Sequence, residues 1–312
     1  MKLITIVTKT YNEEENVVEV YQVIKNLFAE LKDNYNYEHI FIDNKSTDST
    51  VPILKEIAAI DIRVKIIVNS RNFIRTSGMS AYEYAKGDAL IIFDANLKDP
   101  PELIKSFIEE WVKGYKIVYG VRKKTADRFF MRFFRKLYYR MIRTLSGDDI
   151  PLDAGGFRII DRVIIEQIKK VDDYYPELRG YMALLGFNQK GIEYTRKARK
   201  RGKSKSNLNY LIDLTINSVI IYSILPIRLA TYMGLFLSFF SFLGGFIYVL
   251  LKLFIWKAEI PAIAGVIFLL LFFNGIVLIF LGIIGEYVGA IHSQIRKKPS
   301  AIIEEKINFD EK

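Results

Sequence analysis

The chain contains no cysteine, so disulfides and thiolate metal sites are both excluded. Histidine is nearly as scarce. His39 and His292 are the only two, which makes a histidine metal cluster unworkable and leaves oxygen atoms as the ligands for any metal. Neither a P-loop nor a Gly-x-Gly-x-x-Gly turn is present, so plain ATP and dinucleotide readings lack a phosphate cradle. The opening stretch MKLITIVTKTYNEEE turns acidic at once and has no apolar core followed by a small-residue cleavage site. No secretory signal is therefore expected, and the N-terminal part is expected in the cytoplasm.

The 312 residues are 51% hydrophobic, with a mean hydropathy of +0.14. That is too apolar for an ordinary soluble protein and too charged for a purely membrane one, so the chain should be divided. The runs Leu229 to Leu251 and Ile260 to Gly285 carry no charged residue, and each exceeds the roughly 20 residues that cross a bilayer. They predict a two-helix transmembrane hairpin over 229–285. Arg228 precedes the first run and Arg296, Lys297 and Lys298 follow the second, which predicts a multi-pass protein of the inner (plasma) membrane with both ends cytoplasmic. Residues 286–312 then form a cytoplasmic tail. Asn274 and the Gly244-Gly245 pair suit contacts between helices and a homo-oligomer.

Before these runs, KLITIVTKTY, YEHIFIDNKS, VKIIVNS and ALIIFDAN are β-rich segments separated by helical patterns such as Glu14 to Leu31 and Ser49 to Ala59. An alternating β/α order implies a mainly parallel sheet that binds ligands at the carboxyl ends of its strands. Here those ends are polar: Asn12-Glu13, Asp43-Asn44, Asn69-Ser70-Arg71 and Asp94-Ala95-Asn96.

Two basic stretches complete the pattern. Lys113 to Ser146 holds eleven Lys/Arg against one acidic residue, with aromatics interleaved, and predicts an amphipathic interfacial helix at about 125–146. RKARKRGKSKS (Arg196 to Ser206) precedes a shorter apolar run at 206–228, read as a second interfacial helix. A solvated face or nucleic-acid binding is the competing reading of a net charge of +10. Anionic lipid accounts for the charge more directly beside membrane-associating sequence, so no nucleic-acid partner is expected.

The ordered set TYNEEENV, IDNKSTDST, SRNF, GDALIIFDANLKDPPELI, YGVRKK, DAGGFRIIDR, RGYMALLGF, GKSKS and LGIIGEYVGAI resembles the family 2 inverting glycosyltransferases, and within them the polyprenyl-phosphate sugar transferases. The resemblance spans almost the whole chain. It implies an α/β domain over 1–205 with a GT-A-type, Rossmann-like mixed sheet flanked by helices, followed by the interfacial and transmembrane helices. It implies a nucleotide-sugar donor, a polyprenyl phosphate acceptor in the membrane, and Mg²⁺ or Mn²⁺. Nucleotide contacts are implied at Thr8, Tyr11, Glu13, Asp43, Arg71, Asp94 and Ala95, and lipid-phosphate contacts at Arg122, Arg132, Arg135, Arg201, Lys203 and Lys205. Asp94 matches the first acidic residue of the family's Asp-x-Asp, and Asp153 its acceptor-side aspartate. Two plainer roles stay open: Asp43 as the cap of the following helix, and Asp153 as a turn residue.

Departures from the pattern are informative. Where the family commonly reads DDGSTDGT and DADLQD, this chain reads DNKSTDST and DANLKD. Asn96 removes one negative charge and Lys98 adds a positive one, so a weakened metal site at Asp94 and Asn96 is expected, with Lys98 taking part of the cation's work or pointing to solvent. The acceptor phosphate is already an anion and needs no general base, so catalysis reduces to positioning and charge neutralisation, with Asp94, Asp153 and Lys98 as the catalytic candidates. A processive polysaccharide synthase is a poorer match, lacking a Gln-x-x-Arg-Trp segment. A nucleotide-sugar-binding membrane scaffold with reduced turnover is the non-enzymatic alternative, motivated by Asn96.

Overall fold

In the computed structural model the described residues are 1–73, 76–122, 154–171, 178–196, 225–254, 263–296 and 301–309. They fall into two compact units, one holding the sheet and its flanking helices, the other the two long apolar helices.

Among the described residues of the first unit, eight strands form one mixed sheet in the order β7-β5-β6-β4-β1-β2-β3-β8. The strands are β1 (Lys2–Thr10), β2 (Tyr35–Asp43), β3 (Val64–Asn69), β4 (Ala89–Ile92), β5 (Ile117–Arg122), β6 (Ala154–Asp161), β7 (Gln189–Tyr194) and β8 (Ile303–Ile307). The helices between them are α1 (Val17–Glu30), α2 (Thr50–Ile60), α3 (Met79–Tyr84), α4 (Leu103–Val112), α5 (Arg162–Ile168) and α6 (Leu178–Leu184). Strands β4, β1, β2 and β3 run parallel. Their ends therefore converge on one edge, as the β/α order predicts.

These strands read as nearly unbroken apolar runs because both faces are covered. Ile4, Ile6, Phe41, Ile66 and Ile91 pack on the face carrying α1, α2 and α4. Their neighbours Val7, Ile40, Ile42, Ile67 and Leu90 pack on the opposite face against α3, α5 and α6. The period of two along each strand thus feeds two cores. Asp161 joins the faces to the edge: it caps α5 through Val163 N and accepts from Trp111 Nε1 at 2.8 Å and Lys116 Nζ at 3.1 Å. Burial pushes its carboxyl up, but those three donors outweigh burial and hold it below the ordinary carboxylate range.

The C-terminal segment differs from a plain tail. Residues Ile303–Ile307 add an antiparallel strand to β3 at the edge of the sheet.

The second unit holds α7 (Leu225–Phe254) and α8 (Ile263–Ile295). One segment among the described residues, Phe272–His292 in α8, is long and apolar enough to cross a membrane. Phe236, Phe239, Leu278 and Ile279 are more than half exposed. Asn274 donates one amide N–H to Leu270 O of its own helix at 2.8 Å. The helix at 125–146 and residues 206–224 of the second interfacial segment lie outside the described residues. Helix α7 already begins at Leu225, upstream of the predicted start at Leu229.

Candidate active site

The loops that follow β1 and β2 are laced into one platform. Asn12, at φ 51°, donates its backbone N–H to Ser46 Oγ at 2.8 Å and accepts from Thr47 N on its side-chain oxygen at 2.8 Å. Glu13 N donates to Thr50 Oγ1 at 2.9 Å, and the Glu13 carboxylate accepts from Asn16 Nδ2 at 2.6 Å. Asp43 lies beneath them, fully buried at the end of β2. Its carboxylate accepts from Thr10 Oγ1 at 3.0 Å, from Ser46 N at 2.8 Å and from Ser46 Oγ at 2.5 Å. Asp43 therefore holds its own loop together; it does not cap the following helix, whose N-cap is Ser49, and the lone pair it has left is what it could offer a ligand.

Asn44 ties this platform to the end of β3. Its side-chain oxygen accepts from Phe73 N at 2.9 Å and Asn69 Nδ2 at 3.2 Å, and its amide donates to Asn72 at 2.6 Å. Arg71 is exposed there, its guanidinium 4.7 Å over the Phe73 ring. Thr8 is not brought to this edge. It is fully buried in β1, its hydroxyl 2.9 Å from His39 Nε2.

After β4 the chain makes a tight turn that puts Leu97 at φ 49°, a left-handed conformation costly for leucine. Asp94 leads the turn with its side chain 45% exposed, and Ala95 is buried behind it. The Asn96 side-chain oxygen accepts from Lys98 N at 3.2 Å, and Lys98 is half-buried. The cation seen on Asp94 is one the sequence reading assigned to the membrane: Arg196 Nη2 lies 3.5 Å from Asp94 Oδ2. Its Nε lies 3.0 Å from Asp99 Oδ1. Asp99 is buried and accepts from Tyr194 Oη at 2.5 Å, and Tyr194 in turn receives Arg122 Nε at 3.4 Å. Burial and the Asp99 carboxylate push the Tyr194 hydroxyl up to about 12, so it stays a neutral donor. Asp94, Arg196, Asp99, Tyr194 and Arg122 thus form one chain of contacts across the ends of β4, β7 and β5. Asp99 and Arg196 were missed as site residues. The DANLKD motif ends on Asp99, and only its pairing with the far end of β7 distinguishes it from a turn residue.

Among the described residues no group of three or more His, Asp or Glu could hold a metal. A divalent cation would find the Asp94 carboxylate and the second lone pair of the Asn96 oxygen. Mg²⁺ commonly takes one or two carboxylates and completes its shell with substrate phosphates and water, so these two residues fit a cation shared with a bound diphosphate. Asp153, Arg132, Arg135, Arg201, Lys203 and Lys205 lie outside the described residues.

Residues 5–169 match the model of Glycosyl transferase family 2. The chain is 38% identical over 310 residues to the uncharacterized glycosyltransferase YkcC of Bacillus subtilis (strain 168), covering 99% of this chain and 95% of the relative. It is 31% identical over 302 residues to the uncharacterized glycosyltransferase sll0501 of Synechocystis, covering 96% and 94%. Identity is also 31% over 302 residues to the SfII prophage-derived bactoprenol glucosyl transferase of Shigella flexneri, covering 96% and 97%. With a GT-A-like mixed sheet, an acidic strand-end edge and this end-to-end similarity, the chain belongs to the family 2 glycosyltransferases.

Proposed function

We propose that this glycosyltransferase is a membrane-bound, inverting enzyme that moves a sugar from UDP-glucose or a related UDP-sugar to a polyprenyl phosphate such as undecaprenyl phosphate. The product is a lipid-linked sugar for cell-envelope glycan modification. The observation that carries this reading is the similarity, over nearly both full lengths, to bactoprenol glucosyl transferase of Shigella flexneri. The apolar segment Phe272–His292 supports it, since a polyprenyl acceptor cannot leave the bilayer.

In this reading an oxygen of the acceptor phosphate attacks the anomeric carbon directly, because it is ionised at neutral pH. The new carbon–oxygen bond forms as the bond to the donor's diphosphate breaks, and the diphosphate leaves with the electron pair. Glu13 and Asp43, with Tyr11, Arg71, Asp94 and Ala95, hold the nucleotide, while Thr8 stays buried in β1. Asp94 and Asn96 would hold a weakly bound Mg²⁺ or Mn²⁺, which when bound neutralises charge on the leaving diphosphate. Lys98 and Arg196 supply fixed positive charge beside it. Asp153 serves the acceptor side. Arg122, Arg132, Arg135, Arg201, Lys203 and Lys205 hold the lipid phosphate, for which the forked guanidinium suits two-point binding. Helices α7 and α8 form a hairpin with both ends cytoplasmic, flanked by Arg228 and Arg296, and associate between copies.

Purified full-length protein, incubated with radiolabelled UDP-glucose, UDP-galactose or GDP-mannose and a short polyprenyl phosphate, tests the reading. Label from a UDP-sugar should pass into the organic-extractable lipid. The absence of lipid product with every donor would overturn it.

A further inference from the structure

The C-terminal strand does more than close the edge of the sheet. Strand β8 runs antiparallel to β3, with Val68 opposite Glu305 and Ser70 N donating to Ile302 O at 2.8 Å, so its first residues sit at the ligand-binding end of the parallel strands. Its far end is tied down by Asn308, whose amide donates to Ala58 O at 2.7 Å and Val64 O at 2.9 Å. Phe309 packs edge-on to Tyr84. The strand is thus held in place from both ends.

At its near end Glu304 forms an ion pair with Lys45, the residue two after Asp43. Both side chains are nearly half exposed, and ion pairs in that setting contribute little to stability. Yet Lys45 sits at φ 63°, in the left-handed region that favours glycine, where the commoner family pattern DDGSTDGT has one. A strained lysine held by a weak pair points to use rather than stability. Lys45 and Glu304 also face a cleft of about 370 Å³ whose other lining residues include Asp43, Ser46 and Val68. This cleft opens beside the carboxylate that the resemblance connects with the nucleotide.

We propose that β8 is a working part of the donor site: Glu304 positions Lys45 and with it walls the cleft that receives the base and ribose of a nucleoside diphosphate. Lys45 and Glu304 act as positioning residues that set donor affinity. The segment following the apolar helices is thereby built into substrate recognition. This rests on the donor reading above, and the experiment separates the two.

The full-length protein in detergent is titrated with UDP, with GDP and dTDP as comparison ligands. Glu304→Lys should weaken UDP binding about tenfold or more and raise the donor KM, leaving kcat and the acceptor KM within twofold. Combining it with Lys45→Glu should restore affinity to within about threefold, with Tm unchanged in both variants, whereas a merely structural role for the pair would move Tm along with affinity. Lys306→Ala, on the same strand but over the Tyr84 ring, should leave UDP affinity unchanged. Unaltered UDP binding by Glu304→Lys, or no rescue by the reversed pair, would overturn the inference while the donor reading stands. Failure of the unaltered protein to bind any of the three nucleotides would overturn both.

Discussion

His39 offers a direct test of how the sheet is built. It lies in β2 with no exposed surface, its Nε2 on the Thr8 hydroxyl and its ring stacked 4.0 Å from that of Phe41. Burial holds its pKa down at about 3, against an ordinary 6.5. A depressed histidine is neutral when folded and takes up a proton only on unfolding, so stability should fall as pH drops from about 6.5 towards 3. At pH 5 the folded group is still unprotonated, and the loss is set by the unfolded value alone, at about 2 kcal/mol relative to pH 8. For a unit of this size that lowers Tm by roughly 4–8 °C. Asp61 and Asp161 do not contribute in this window. Both carboxyls are held below the ordinary value of 3.8, Asp61 chiefly by hydrogen bonding to Arg63, so their contributions persist above that value and vanish only in stronger acid. Thermal unfolding of the full chain in detergent, followed by tryptophan fluorescence at pH 8, 7, 6 and 5, measures the slope. His39→Gln should be less stable at pH 8 yet nearly flat between pH 8 and 5. Parallel slopes for the variant and the unaltered protein would refute the argument, because His39 would then be titrating alike in both states.

Two further substitutions probe the candidate site. Asp99→Asn removes a buried charge from between Arg196 and Tyr194; with Arg196 partly solvated it should cost about 1–3 kcal/mol, read as a lower Tm. It also leaves Arg196 to Asp94, so half-maximal activation should need several-fold more Mn²⁺, and an unmoved metal titration would count against the link. Gly120→Ala puts a Cβ 2.5 Å from the Tyr194 ring and should cost about 1–3 kcal/mol through overpacking, with part of the loss recovered in Gly120→Ala combined with Tyr194→Ala.

The first four strands were legible in the sequence because each is buried on both faces, which leaves an apolar run bounded by polar ends. Strand β8 was not. Its sequence IEEKI places charged residues at the middle three positions, all exposed, and nothing local reveals that β3 offers it an edge. The strand-end acidic residues were likewise found because type and position coincide. What a single sequence could not supply was their pairing: Asp99 meets Arg196 across 97 residues, and the cation that contacts Asp94 is this arginine rather than Lys98, the lysine chosen from the motif.

The same pairing logic explains the two asparagines that depart from the family pattern. Asn44 and Asn96 each stand where an aspartate is common, and an amide in place of a carboxylate would at first suggest lost ligand binding. In both cases, however, the side-chain oxygen accepts a backbone N–H, Phe73 N for Asn44 and Lys98 N for Asn96. Asn44 also uses its NH₂, donating to Asn72, a bond an ionised aspartate could not make. The loops after β2 and β4 are therefore stapled by groups that carry no charge, at an edge that already holds Asp43, Asp94 and Asp99. On the proposed donor reading, a diphosphate at this edge would meet fewer fixed negative charges than the DDGSTDGT and DADLQD patterns would place there, with Arg196 beside Asp94 as a fixed cation. With repulsion lowered by the protein itself, less of the neutralisation is left to a bound cation. The amide oxygens accept the backbone N–H groups that a carboxylate could also accept, but they bring no charge to the edge.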